Sequence, residues 1–175
     1  MSDITTEQWL EQEDRRISLT IRKHGCALQY VQPCKDDGLV TPFCYTIGLF
    51  GLGHPELLVF GLDFPSATGC LNHLHGLVRA GRDLVAGEVL TFPGHDEKYL
   101  VEEVPNAGQI VFVANRHYQR PSTASVPAFQ LTWSVGGVFP WEDGYPYRPE
   151  SQPRPGTFSA VLDGAGDSGP ASRAG

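Results

Sequence analysis

The chain has 175 residues, of which 41% are hydrophobic and 19% are charged, and this composition is typical of one globular domain. It excludes collagen, a coiled coil and a wholly disordered protein. The formal net charge of -7 leaves no broad basic surface for phosphate backbones, so nucleic acid is not an expected partner. The 20 glycines and 14 prolines exceed average usage and predict many turns and loops, and a tail.

The cellular location is inferred from segments that the sequence lacks. The first residues are acidic and polar rather than basic and apolar, which predicts no secretory signal and a cytoplasmic protein. The longest apolar runs, such as residues 56–62, are much shorter than the roughly 20 apolar residues that span a bilayer, so no membrane partner is expected. Four cysteines in a cytoplasmic chain of this length are expected to stay free thiols.

A helix followed by three strands is predicted for the first third of the chain. Residues 5–24 have apolar side chains at helical spacing, acidic residues near the start and basic residues at the end, and Gly25 ends the helix. Residues 26–32, 42–49 and 56–62 are predicted strands. The link of residues 50–55 is short, so the last two of these strands are expected to pair as an antiparallel hairpin.

A second helix and further strands complete the predicted domain. Asp63 can cap a helix that has Pro65 near its start, an apolar face, and an end at Gly81. Residues 84–92, 99–104, 109–113 and 129–133 are predicted strands. The fold class is therefore α+β, with an antiparallel-rich sheet or partly open barrel on which the N-terminal helix and the central helix pack. Residues 1–149 are predicted to form one domain, and residues 150–175, rich in Pro, Gly and Ser, a disordered tail.

Cysteine and histidine spacing argues against a metal site. The four cysteines form no C-x-x-C pair, so a structural zinc site is not predicted. Cys70 and His73 have the i, i+3 spacing of a helical ligand pair, but Cys70 falls among apolar positions and His73 toward the helix flank. We therefore expect no bound metal, and no cofactor is predicted apart from the weaker flavin hypothesis given below.

Two residues in the turn between the hairpin strands are candidates for acid–base chemistry. His54 and Glu56 lie two positions apart in a glycine-flanked turn, and functional residues concentrate in such loops. A neighbouring carboxylate raises the pKa of a histidine and can select its tautomer, which suits a general acid or base. The structural alternative is that both side chains only hold the hairpin together.

Two further segments carry candidate binding residues. Arg116, His117 and Tyr118 combine a cation, a titratable ring and a phenol that can recognise a carboxylate or phosphate, and the alternative is a solvated strand end. Residues 138–145 contain several aromatic and acidic residues, among them Trp141, and can form either a ligand wall or a segment that closes the sheet. Neither a phosphate-binding glycine loop nor a G-x-S-x-G hydrolase motif is present in the sequence.

Several sequence blocks follow one another between about residues 20 and 146. They are residues 45–49 (YTIGL), 53–62 (GHPELLVFGL), 71–72 (LN), Gly81 with Gly87, 129–133 (FQLTW) and 137–145 (GVFPWEDGY). In this order they resemble the family called domain of unknown function 4262. The resemblance implies a small, soluble, mostly bacterial protein with one domain and brings no established reaction. Within the family pattern His54, Glu56 and Asn72 are polar positions among apolar ones, which favours them as site residues.

Two main functional hypotheses follow. The first is a small tailoring enzyme of secondary or peptide metabolism that binds its substrate between the sheet and residues 129–145. In it His54 is the acid or base and Glu56 orients it, and the predicted substrate-binding residues are Asn72, Arg116, His117, Tyr45, Trp133 and Trp141. The alternative is a non-catalytic ligand-binding or immunity-type module that uses the same cleft. Flavin binding on a split-barrel-like sheet is a third, weaker hypothesis. The expected partner is a small molecule or peptide, and a homodimer is left open.

Overall fold

The computed structural model describes residues 2–34 and 41–160 of the chain. Within these ranges the chain forms three α-helices, α1 (Ser2–His24), α2 (Phe64–Arg79) and α3 (Phe112–His117). The strands in the same ranges are β1 (Ala27–Val31), β2 (Phe43–Ile47), β3 (Glu56–Phe60), β4 (Val89–Thr91), β5 (Lys98–Glu103) and β6 (Ala128–Trp133). The fold is α+β, as the sequence predicts. None of the described helices combines the length and the apolar character that crossing a bilayer requires.

The strands form one open, mixed sheet in the order β1-β2-β3-β6-β5-β4. Neighbouring strands are antiparallel except β3 and β6, which run parallel with Glu56 opposite Ala128. The hairpin predicted from the short link is confirmed, since β2 and β3 are antiparallel with Tyr45 opposite Leu58. The sheet is therefore antiparallel-rich, and β1 and β4 are its two edges.

Both faces of the sheet are covered, which explains why the central strands β2, β3 and β6 are buried along almost their whole length. Alternate residues of a strand point to opposite faces. On one face, Phe43 and Phe60 belong to a buried cluster that includes Ile17 of α1 and Ala114 of α3. On the other face the strands pack against α2, and the buried residues of this second cluster include Cys44, Leu57, Val59, Leu71 and Leu74.

The two long helices end and begin at the signals that the sequence contains. Gly25 adopts φ +85°, and its N–H donates to Ile21 O at 2.6 Å, so α1 ends in the left-handed conformation that glycine tolerates. The Asp63 carboxylate accepts the Ser66 N–H at 2.9 Å and caps α2, with Pro65 in its first turn. The first helix starts at Ser2, ahead of the predicted start at residue 5.

The strand predicted over residues 109–113 is wrong. A 3-10 turn over residues 107–109 leads through residues 110 and 111 into α3. The buried hydrophobic residues here are Ala107, Ile110, Val111 and Ala114, spaced i, i+3, i+4 and i+7 as on one face of a helix. The apolar and β-branched residues of this segment favour a strand, but burial of the helical face outweighs their β propensity, and the segment leads into α3.

Residues 149–160 pack against the domain, although the sequence predicts a tail from residue 150. Gln152 is only 1% exposed, and its side-chain amide accepts Trp133 N–H and donates to Trp133 O, both at 2.8 Å. Phe158 contacts the rings of Phe43 and Phe60 at centroid distances of 5.4 and 4.9 Å. The packed chain therefore extends beyond the predicted domain boundary at residue 149. The rest of the predicted tail, residues 161–175, lies outside the described residues.

Candidate functional site

Glu56 lies at the start of β3 and is completely buried. Its Oε1 accepts hydrogen bonds from the N–H groups of Gly48 at 2.9 Å and Phe50 at 3.1 Å. Its Oε2 accepts the Leu49 N–H at 3.2 Å and the Thr46 hydroxyl at 2.6 Å. Each carboxylate oxygen therefore receives two donors, and the carboxylate organises the loop that leaves β2.

The backbone of this loop depends on a glycine. Gly48 has φ +136°, and a Cβ at this position would lie 2.8 Å from Gly25 O, so only glycine brings its N–H toward the buried carboxylate without a clash. Burial raises the pKa of the Glu56 carboxyl above its ordinary value, and the four donated hydrogen bonds oppose that rise.

His54 is also buried, with 3% of its surface exposed. Its Nδ1 lies 2.7 Å from Pro55 O and therefore carries the proton that it donates to this carbonyl. Its Nε2 accepts the Leu84 N–H at 3.1 Å, so both ring nitrogens are occupied by backbone groups. Within the part of the chain that the structure describes, no hydrogen bond joins His54 to Glu56. This geometry favours the structural alternative for both side chains, in which Glu56 holds the hairpin loop and His54 ties the hairpin to Leu84.

Two of the predicted substrate-binding residues lie inside the domain. Tyr45 is buried, and its hydroxyl oxygen accepts the Val113 N–H at 3.1 Å, which ties β2 to α3. The indole Nε1 of Trp133 donates to Phe60 O at 2.8 Å, while part of Trp133 reaches an open cleft described below. Of these two side chains, only Trp133 lines that cleft.

The other predicted binding residues lie on separate parts of the surface. Arg116 forms an ion pair with Asp14 at 2.7 Å and so links α3 to α1. Burial lowers the pKa of the neighbouring His117 below its ordinary value. Asn72 is exposed on α2. Trp141 is 48% exposed and is stacked on the ring of another aromatic residue in its own segment, at a centroid distance of 4.9 Å. The structure therefore does not bring the predicted binding residues together.

An open cleft of about 550 Å³ lies between α2 and the loop that joins β4 to β5, and we call it the α2 cleft. It forms because α2 packs over β1 and β2, which leaves the β4–β5 end of the same sheet face less covered. One side of the cleft is a single face of α2, formed by Ser66, Gly69, Cys70 and His73 at positions i, i+3, i+4 and i+7. Gly69 keeps this side open, since nothing lies within 4 Å of where its Cβ would be.

The opposite side of the α2 cleft carries aromatic and titratable side chains. Phe92, His95, Glu97 and Tyr99 line it, and Trp133 lies at the end of β6 beside them. His95 Nδ1 lies 3.9 Å from a Glu97 carboxylate oxygen. The wall therefore combines a large apolar surface with a few polar groups, as small-molecule sites do.

Two side chains that line the cleft, Cys70 and Tyr99, are neutral near pH 7. Burial raises the pKa of the Cys70 thiol to about 12, and a hydrogen bond with Tyr99 opposes this rise. Burial also raises the pKa of the Tyr99 hydroxyl above its ordinary value. Among the described residues, no three His, Cys, Asp or Glu side chains are grouped closely enough to hold a metal ion. The α2 cleft therefore presents a neutral thiol and a neutral hydroxyl beside its aromatic side chains.

The sequence contains part of the signal for this cleft. Cys70 and His73 have the spacing of a metal-ligand pair, and Ser66 and Gly69 complete a face of small and polar residues on the same helix. His95 and Glu97 give no such signal, because a polar loop after a predicted strand shows no pattern of its own. Only the pairing of β4 with β5 places this loop opposite α2.

The family model described as "Domain of unknown function (DUF4262)" matches residues 20–146. Searches of curated proteins and of solved structures find no match. The matched range includes α2, β4, β5 and β6, and with them all the residues that line the α2 cleft.

Proposed function

This chain belongs to the family described as domain of unknown function DUF4262, and we propose that it binds a small organic molecule in the α2 cleft. The observation that carries the proposal is the composition and shape of the cleft, which is large enough for a drug-sized ligand and has a mostly apolar wall with a few polar groups. The proposed role is the ligand-binding alternative predicted from the sequence, but of the predicted binding residues only Trp133 lines the α2 cleft.

Gly69 supports the proposal. The backbone at this helix position would accept a side chain without strain, so the glycine is not required by the conformation of the chain. Glycine in a helix interior is less stable than alanine by roughly 1 kcal/mol. A cleft-facing glycine with open space in front of it therefore sacrifices helix stability and keeps the cleft wide. Gly76 on the same helix also has open space around it, but it does not line the cleft.

Catalysis by His54 and Glu56 stays a prediction. A general acid or base must reach the substrate with a free proton or lone pair. Pro55 O and the Leu84 N–H occupy the ring nitrogens of His54. The loop after β2 and Thr46 occupy the oxygens of Glu56. Unchanged turnover of a cognate substrate by His54→Ala would remove the tailoring-enzyme assignment of this residue.

The two glycines of α2 provide a matched test of the cleft. Gly69→Leu fills the cleft, whereas Gly76→Leu adds the same side chain outside it, and both changes favour the helix. Wild type and both variants are screened by thermal shift against one metabolite library, and each hit is re-examined by mass spectrometry for chemical change. A ligand at about 100 times its Kd stabilises the folded protein by about 2.7 kcal/mol.

We expect compounds that stabilise wild type and Gly76→Leu to the same extent and lose their effect on Gly69→Leu. Hits that stabilise all three proteins equally would place the ligand elsewhere and contradict the proposal. A library without a stabilising compound would count against it too. Conversion of a hit into a product would show that the cleft also catalyses a reaction, and an unchanged hit would support binding alone.

A further inference from the structure

We infer that the ligand of the α2 cleft carries an ammonium group on an apolar body, an inference that rests on the proposed function. The charge and the aromatic groups on the β4–β5 side of the cleft support it. Glu97 supplies a carboxylate at the cleft, and Phe92, Tyr99 and Trp133 supply aromatic surface beside it. An ammonium group is attracted by both.

The formal charge of the cleft is negative. With histidine counted as neutral, Glu97 is the one charged side chain among the described residues that line it. Lys98 follows in the sequence, but alternation along β5 turns its side chain away from the face that carries Tyr99. The chain as a whole is also acidic, with a formal net charge of -7, which favours the approach of a cation.

The aromatic rings of the cleft meet at steep angles. The ring centroids of His73 and Phe92 are 4.8 Å apart, and the two ring planes are inclined at 82°. The ring centroids of Phe92 and Tyr99 are 5.4 Å apart, with the planes inclined at 54°. Rings in such an arrangement present faces in different directions, as the walls of an aromatic cage do around an ammonium group. Leu62, Pro65 and Pro93 add apolar surface for the rest of the ligand.

An anionic ligand is less compatible with the same residues. The N-terminus of α2 is near the cleft, but the Asp63 carboxylate already accepts the Ser66 N–H at 2.9 Å. His95 has the Glu97 carboxylate as its charged neighbour, at 3.9 Å. A carboxylate or phosphate ligand would therefore meet two carboxylates near the sites where a helix N-terminus or an imidazole could bind it.

Three probes with one body and different charges test the inference. They are 2-phenylethylamine, 2-phenylethanol and phenylacetate, titrated at pH 8 into wild type, Glu97→Gln and Gly69→Leu and followed by amide chemical shifts of the cleft residues. Asp96→Asn is the matched control, because Asp96 is an exposed acid next to Glu97 that does not line the cleft.

We expect the amine to bind wild type at least about threefold more tightly than the alcohol, and phenylacetate to bind most weakly. Glu97→Gln is expected to abolish most of this preference, whereas Asp96→Asn keeps it. Equal binding of amine and alcohol, tighter binding of phenylacetate, or an unchanged preference in Glu97→Gln would overturn the inference and leave the proposed function in place. If none of the probes shifts the cleft residues, or if Gly69→Leu binds them as wild type does, the proposed function fails as well.

Discussion

Glu56→Gln keeps the shape of the buried side chain but replaces one acceptor oxygen by an N–H donor. Each carboxylate oxygen receives two donors, so the amide nitrogen faces at least one backbone N–H in either orientation. Leaving a buried donor unpaired costs about 1–3 kcal/mol, and the remaining hydrogen bonds lose their charge assistance. We therefore expect a loss of about 2–3 kcal/mol from a total stability of about 5–15 kcal/mol.

Urea unfolding followed by circular dichroism measures this loss. With an m-value of about 1–3 kcal/mol/M, the midpoint is expected to fall by about 0.7–3 M with an unchanged slope. Glu103→Gln, at an exposed position of β5, is the control and is expected to change stability by less than about 0.5 kcal/mol. If the midpoint of Glu56→Gln equals that of the control, the carboxylate does not hold the loop, and a role in chemistry regains support.

Three further predictions concern buried groups and close contacts. His75→Leu is expected to raise stability by about 1 kcal/mol, because the buried Nε2 of His75 has no hydrogen-bond partner among the described residues. Burial lowers the pKa of His75 below 6.5, so wild type loses stability as the pH falls through that lowered pKa. The urea midpoint is therefore expected to fall between pH 7.5 and pH 5, and to fall less in His75→Leu than in wild type. Burial raises the thiol pKa values of Cys26, Cys44 and Cys70 to about 12. At pH 8, Ellman's reagent is therefore expected to modify these three thiols quickly only after denaturation. Gly61→Ala should lower the urea midpoint more than Gly53→Ala, because both glycines have positive φ but only at Gly61 would a Cβ meet the carbonyl oxygen of Ser151, at 2.6 Å.

Elements with strong local signals are predictable from this sequence. Gly25 and Asp63 mark helix ends through backbone conformation and capping, which act within one turn of chain. The β2–β3 hairpin follows from the length of its link. Around Ile110 and Val111, β propensity favours a strand and the spacing of buried residues favours a helix, and contacts with distant residues decide between them.

The candidate site was harder to predict, since polar residues among apolar ones fit both a functional and a structural role. Glu56 is such a residue: the loop after β2 folds back over it and uses its carboxylate as an acceptor. The burial of Gln152 is hard to predict for a similar reason. A glutamine in a Pro-rich segment gives no sign that its amide will pair with the backbone of Trp133. In both cases the partner lies in a segment whose path the local sequence does not determine.

The parallel pairing of β3 with β6 has a consequence for synthesis of the chain on the ribosome. The N-terminal strands β1 to β3 emerge first. Because Glu56 pairs opposite Ala128, the inner edge of β3 stays unpaired until β6 has been synthesised. Contacts between positions so far apart in the chain form slowly, because a long loop must close first. Until then a nascent chain presents the unpaired edge of ELLVF, a segment that is buried on both faces in the finished domain. The half of the sheet that the first sixty residues encode is therefore completed only when β6 arrives, and the two halves become stable together.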